Sequence, residues 1–188
     1  MASEITILLQ RWREGDEGVL HTLMPLIYSE LHRMARLFFR KSRGAVTLQP
    51  TALVNEAYLK LFDKVQPQFA DRAHFLAVVS KVMRQVLIDH ARAASAVKRG
   101  GQAQRVQWDT AIVVDSGRSH SQLRMLDVDQ AIDSLSRENP NLSQVIEMHY
   151  FGGMTAEEIS LVAGRSAHII RHELRLARAW LGRELAER

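Results

Sequence analysis

Apolar residues recur every three or four positions along most of the chain, and strict apolar–polar alternation is scarce. That period belongs to helices with one buried face. It predicts helices over residues 4–14 and 17–40, separated by "EGDEG", where two glycines interrupt the pattern. "RKSRGAVTLQ" reads as a loop. "PTALVNEAYLKLFDK" then opens on proline, which suits a first helical turn, and sets Val54, Ala57, Tyr58 and Leu61 on one face. After a second loop, "VQPQFADRA", residues 73–95 form a long helix. In it Phe75, Val79, Val82 and Val86 share a face with Leu76, Met83 and Leu87. Lys81, Arg84, Gln85 and Arg92 lie on the other side, with Ile88 among them. Two helices over 126–136 and 140–151 and two more within "TAEEISLVAGRSAHIIRHELRLARAWL" complete the pattern.

The texture breaks once. "KRGGQAQRVQWDTAIVVDSGRSHSQ", from Lys98 to Gln122, mixes glycine, serine, glutamine and charge around one short apolar run. A connection of about 25 residues is long for the inside of a compact domain. The expected architecture is therefore all-α: two small helical domains, 1–97 and 126–188, joined by a flexible linker, 98–125.

Length and composition narrow the class. A chain of 188 residues has room for one large or two small cores, and 46% hydrophobic with 24% charged residues is ordinary for a globular protein. The absence of cysteine excludes disulfides, thiolate metal sites and cysteine nucleophiles and suits a reducing cytoplasm. No signal-peptide pattern and no long apolar run is present, so neither export nor a membrane association is expected. The net charge of +4 is modest but unevenly spread. Asp127, Asp129, Asp133, Glu138, Glu147, Glu157 and Glu158 face only Arg137 between Leu126 and Glu158. Beyond Ile159, arginines 165, 171, 175, 178, 183 and 188 face Glu173, Glu184 and Glu187. A basic end after an acidic stretch fits a polyanionic partner, and equally a solvated charged face.

The last two helices have the signature of a helix-turn-helix. Thr155 and Glu158 form a capping box at the first, Gly164 supplies the turn, and Ser166 caps the second. On the second helix Ile170, Leu174, Ala177 and Leu181 stack toward a core, flanked by Ile169, Leu176 and Trp180. His168, Arg171, Arg175 and Arg178 lie roughly opposite, with His172 beside them. Residues near the start of such a helix reach base edges in the major groove, and an arginine fork matches two acceptors of guanine. His168, Arg171 and Arg175 are thus placed for bases, and Arg178 and Arg183 for backbone. An amphipathic helix with a solvated basic face is the plainer alternative.

The long helix of the first domain offers a second basic face. Phe69, His74, Asp71 and Arg72 precede it, and flat side chains beside bases suit single-stranded or melted DNA. A buried Phe69 and an internally bonded His74 are the alternative. Enzyme chemistry finds little support. His168 and His172 have metal-ligand spacing on a helix but no third ligand at motif spacing. "RGG" and "FGG" lack the flanks of a phosphate loop. No catalytic residue, metal or cofactor is expected.

The segments "LQPTALVNEAYLKL", "FADRAHFLAVVSKVMRQVLIDHARA", "KRGG" and "FGGMTAEEISLVAGRSAHIIRHELRLARAWL", in this order and spacing, resemble bacterial sigma factors of the extracytoplasmic-function group over essentially the whole chain. The resemblance implies that 1–97 corresponds to sigma region two and 126–188 to region four. Region two would dock on the clamp helices of core RNA polymerase through the helix from Pro50 to Phe62, with Asn55, Glu56 and Leu59 exposed. It would read the minus-10 promoter element through the loop Val65–Arg72, hence Phe69 and Arg72, and through Lys81, Arg84, Gln85 and Arg92. Region four would bind the polymerase flap and read the minus-35 element through Ser166, His168, Arg171, His172, Arg175 and Arg178. Promoter DNA and core polymerase are the implied partners, and an anti-sigma factor is one the family allows. Two departures stand out: "QPTAL" where many members carry aspartates, and "SAHII" at the start of the reading helix. The competing class is an autonomous helix-turn-helix regulator whose first domain senses or dimerises. A nucleic-acid-processing enzyme is the third.

Overall fold

The structure is a computed structural model that describes residues 3–41, 48–62, 69–97 and 125–186. Every regular element within them is helical. In chain order these are α1 (Glu4–Arg13), a 3₁₀ turn (Glu17–Val19), α2 (Leu20–Lys41), α3 (Pro50–Phe62), α4 (Arg72–Val97), α5 (Met125–Glu138), α6 (Pro140–Tyr150), α7 (Ala156–Ala163) and α8 (Ala167–Ala186). Residues 98–124 of the expected linker, and most of the two loops before α3 and α4, lie outside the described residues. So do Asp63 and Lys64, expected at the end of the third helix. Met125, expected in the linker, is buried as the first residue of α5, and Glu14 and Phe151, expected inside helices, are the residues just after α1 and α6.

Local chemistry explains the boundaries. Ser3 accepts the Thr6 N–H ahead of α1 and Asn139 accepts the Leu142 N–H ahead of α6, each satisfying a donor the helix cannot. Pro140 follows Asn139 at the start of α6, where its missing N–H costs nothing.

Helices α1–α4 pack through Leu9, Leu23, Ile27, Leu31, Leu53 and Phe75, and α5–α8 through Ile132, Leu135, Ile146, Ile159, Ile170 and Leu181, all almost fully buried. The two groups do not stand apart: their buried residues form one contiguous apolar cluster. The joint runs along α4, which packs on α1 and α3 on one side and on α5, α6 and α7 on the other. A stripe of Ala77, Ser80 and Arg84, each three or four residues from the next, faces the second group. Its first members are small, and that lets backbones approach.

The closest approach is at the end of α6. Phe151 is buried and stacks on Phe38 of α2, with ring centroids 5.9 Å apart. Next to it, a Cβ on Gly152 would lie 2.1 Å from the Ser80 Oγ and 2.4 Å from the Met148 carbonyl oxygen, so no side chain fits there. The "FGG" that the sequence offered as a failed phosphate loop is a packing element between the two halves.

Candidate nucleic-acid interface

The turn between α7 and α8 is built as its residue types require. The Thr155 Oγ1 accepts the Glu158 N–H at 3.2 Å and a Glu158 carboxylate oxygen accepts the Thr155 N–H at 3.0 Å, a complete capping box. Gly164 closes α7 at φ 64°, a left-handed conformation that side chains disfavour. The Ser166 Oγ then accepts the Ile169 N–H at 3.3 Å and starts α8. Ile170, Leu174, Ala177, Leu181 and Leu185 are buried along the inner face of α8.

Outside that face, Ser166, His168, Arg171, His172 and Arg175 are all exposed. Arg171 is ion-paired with Glu157 of α7, and more than half of each side chain is in solvent. Such a pair contributes on the order of 0–1 kcal/mol and is easily exchanged for another anion. Arg175 Nη2 lies 3.3 Å from the His172 Nδ1. Arg165 bonds Glu173 at 2.8 Å and ties the turn to the helix.

Two expectations for α8 need correction. Arg178, expected to reach backbone phosphate, is half-buried. Its Nη2 lies 3.0 Å from the His149 Nε2 and its guanidinium carbon 6.0 Å from the Tyr150 ring centre, so it turns back onto α6. Ile169 and Leu176, expected to flank the core, are 44% and 46% exposed. Each sits one residue, about 100°, off the buried stripe, beyond the arc that α5, α6 and α7 cover. Trp180 on the same edge is half-buried, and its indole N–H donates to Glu138 at 3.0 Å.

The residues expected on the minus-10 side divide into two sets. Lys81, Gln85 and Arg92 are exposed. Phe69, Arg72 and Arg84 are engaged inside the protein. Phe69 is 2% exposed and packs edge-on against Phe75 and His74. His74 in turn accepts the Ala70 N–H at 3.2 Å on its Nδ1. The buried alternative is therefore the one this conformation adopts, since the loop folds its ring into the top of the bundle. Arg72 donates to Glu30 of α2 at 2.8 and 3.0 Å and to Glu158 of α7 at 2.8 Å. Arg84 is held most tightly. It donates to the Asp129 carboxylate at 2.6 and 2.9 Å and to Asp133 at 2.6 Å, and its other terminal nitrogen lies 3.6 Å from Glu147. Arg92 approaches the second Asp129 oxygen at 3.6 Å.

Burial and charge act against each other in this cluster. Burial works to discharge Arg84, but hydrogen bonds to Asp133 and Asp129 outweigh it and hold the guanidinium above its ordinary value. The Glu147 carboxyl is pushed up by burial, only partly offset by Arg84 and Lys81. Sequence reasoning missed these acidic partners because their separation from Arg84 in the chain hides the contact. The one available signal was the acidic stretch itself.

On α3, Asn55, Glu56 and Leu59 point outward, with Leu59 65% exposed. The Asn55 side-chain oxygen accepts from the Tyr28 hydroxyl at 2.9 Å. Val54, Ala57 and Leu61 are buried on the opposite face, as their spacing predicts. Among the described residues no cluster of three or more His, Asp or Glu side chains could hold a metal ion, and no helix is long and apolar enough to cross a membrane.

No curated protein and no solved structure matches the chain. The profile of the family described as ECF sigma factor matches residues 2–187, nearly the full length. With a capped helix-turn-helix at one end, an all-helical bundle at the other and a match across both, the chain belongs to the ECF sigma factors, the proteins that give RNA polymerase its promoter specificity in transcription initiation.

Proposed function

We propose that this protein binds core RNA polymerase and directs it to a specific promoter, with no chemistry of its own. In this reading residues 1–97 dock on the clamp helices through α3 and contact the minus-10 element through α4. Residues 126–188 bind the flap and read the minus-35 element through α8, and the protein works in the cytoplasm. The observation that carries the reading is the family match over residues 2–187, which takes in both halves together. The exposed Leu59 beside Asn55 and Glu56, and the open row His168, Arg171, His172 and Arg175, support it. The test is co-purification of the tagged chain with core polymerase, followed by mapping of transcription starts after overexpression. A chain that brings down no polymerase and creates no new starts would refute the proposal.

A second reading, an autonomous helix-turn-helix regulator, draws support from one observation. The α8 row is open while Arg84 of α4 is ion-paired with α5, so α8 is the more accessible of the two candidate DNA-reading surfaces. Gel mobility on promoter DNA with and without core polymerase separates the two. A regulator shifts the DNA alone, and a sigma factor shifts it only with polymerase.

A further inference from the structure

Helices α4, α6 and α7 leave a small cavity where they meet. It measures about 100 Å³, and Val78 of α4, Met148 of α6 and Val162 of α7 belong to its apolar lining. That is room for several waters and too little for a drug-sized molecule. Two residues of opposite charge border it, Lys81 of α4 and Glu147 of α6, together with the Gln144 amide of α6. His74 adds a donor rather than an acceptor. Its Nδ1 accepts the Ala70 N–H, so the proton of the neutral ring sits on Nε2.

Neither charge is fully matched inside the protein. Lys81 is exposed and acts on the Glu147 carboxyl through space, but no ion pair joins the two among the described residues. The Glu147 side chain is only 12% exposed, and Arg84 stands 3.6 Å from it while bonding Asp129 and Asp133 at 2.6 Å. At 3.6 Å no hydrogen bond is made. Burial pushes this carboxyl up, and Arg84 and Lys81 only partly offset it. A cation brought within hydrogen-bond distance would supply what the carboxylate lacks, since a buried charge is stable only when paired and bonded. A lone ammonium in the cavity would be repelled by Lys81, and a lone carboxylate by Glu147. A molecule that carries both charges turns each repulsion into an attraction.

We infer that this cavity is a binding site for a small zwitterion of the α-amino acid class. The carboxylate of the ligand lies against Lys81, its ammonium against Glu147 and Gln144, and its short side chain against Val78, Met148 and Val162. The walls come from both halves of the chain, so an occupant stabilises the contact of α4 with α6 and α7. The inference does not depend on the proposed function. Lys81 is also assigned to promoter DNA in that reading, so ligand binding, not transcription, is the measure of the site.

L-alanine is the probe, added to the full-length free chain and followed by NMR and by melting curves. Amides around Lys81, Glu147 and Val162 should shift and saturate. At ten times the dissociation constant, the melting temperature should rise by roughly 3–5 °C. Acetate and methylammonium, which carry one charge each, should bind at least about tenfold more weakly. Lys81→Met and Glu147→Gln should each weaken L-alanine binding by at least about tenfold as well. Lys60→Met, which removes an exposed charge on α3 away from the cavity, should leave it unchanged. Should Glu147→Gln fail to fold, Lys81→Met decides, because Lys81 is exposed and its replacement spares the core. A melting temperature that rises without saturating, and does so in both variants, is the general effect of a small osmolyte and would overturn the inference. So would acetate or methylammonium binding as tightly as L-alanine, or the absence of any saturable shift.

Discussion

At the scale of single residues, the three arginines of α8 that one helical period would treat alike are not alike. Arg171 and Arg175 are exposed, and their present partners are side chains on the surface. Arg178 is folded against His149 and Tyr150, and its Nε is buried with no hydrogen-bond partner among the described residues. Arg171→Ala and Arg175→Ala are therefore expected to cost about 1–3 kcal/mol each at the upstream element and to relax its specificity. Arg178→Ala should instead lower thermal stability, because it removes packing. Binding to wild-type and scrambled upstream elements, set beside melting curves, checks this, and equal losses on both elements for Arg171 and Arg175 would reduce them to backbone contacts. Glu158 carries a second expectation. Burial would raise its carboxyl, but the hydrogen bonds from Arg72 and the Thr155 N–H outweigh it and hold it below the ordinary value of 4.5. A depressed folded value means its stabilisation is fully present above the ordinary carboxylate range and is lost as pH falls through the folded value. Glu158→Gln should cost about 1–3 kcal/mol at neutral pH and progressively less in acid. Urea unfolding at a series of pH values would show the gap close, and a gap that stays constant into acid would contradict the assignment.

At the scale of elements, α3 shows how a helix can belong to the core and still offer a surface. Leu53, Val54, Ala57 and Leu61 are buried, while Leu59 stands 65% exposed between charged and polar neighbours. A leucine so exposed contributes little to folding, so its replacement by a charge should be felt by a partner and not by the fold. Leu59→Asp is expected to reduce polymerase binding at least about tenfold, a loss of roughly 1.4 kcal/mol or more, with the melting temperature unchanged within about 1–2 °C. A variant that melts early would return Leu59 to the core. Helix α4 is the opposite case. Its apolar face serves the first half, its polar face carries Arg84 to Asp129 of the second, and Ile88, isolated among polar residues in the sequence, is buried as well.

At the scale of the whole molecule, one contiguous core spans both halves. Elements that share buried contacts unfold together unless the shared part is weak. Scanning calorimetry of the free wild type should therefore show a single transition, and Ser80→Leu should split it into two as each half melts by itself. Two transitions already present in the wild type would mean that the joint around Phe151 adds little to stability.

Much of this protein was legible in one dimension. The period of apolar residues determined the helices and their buried faces, because burying one stripe of a helix is a local rule that each segment obeys separately. The capping box at Thr155, the turn at Gly164 and the cap at Ser166 were equally legible, since each is a bond between near neighbours in the chain. The motifs in their order named the family. Three things were decided by tertiary structure alone. Phe69 went inward because Phe75 and His74 were there to receive it. Arg178 left the reading face because His149 and Tyr150 come from another helix. Arg84 was claimed by Asp129, Asp133 and Glu147, and Gly152 by Ser80, across separations that no periodicity encodes. A charged residue announces its wish for a partner in the sequence, but which partner it finds depends on the distances that folding creates.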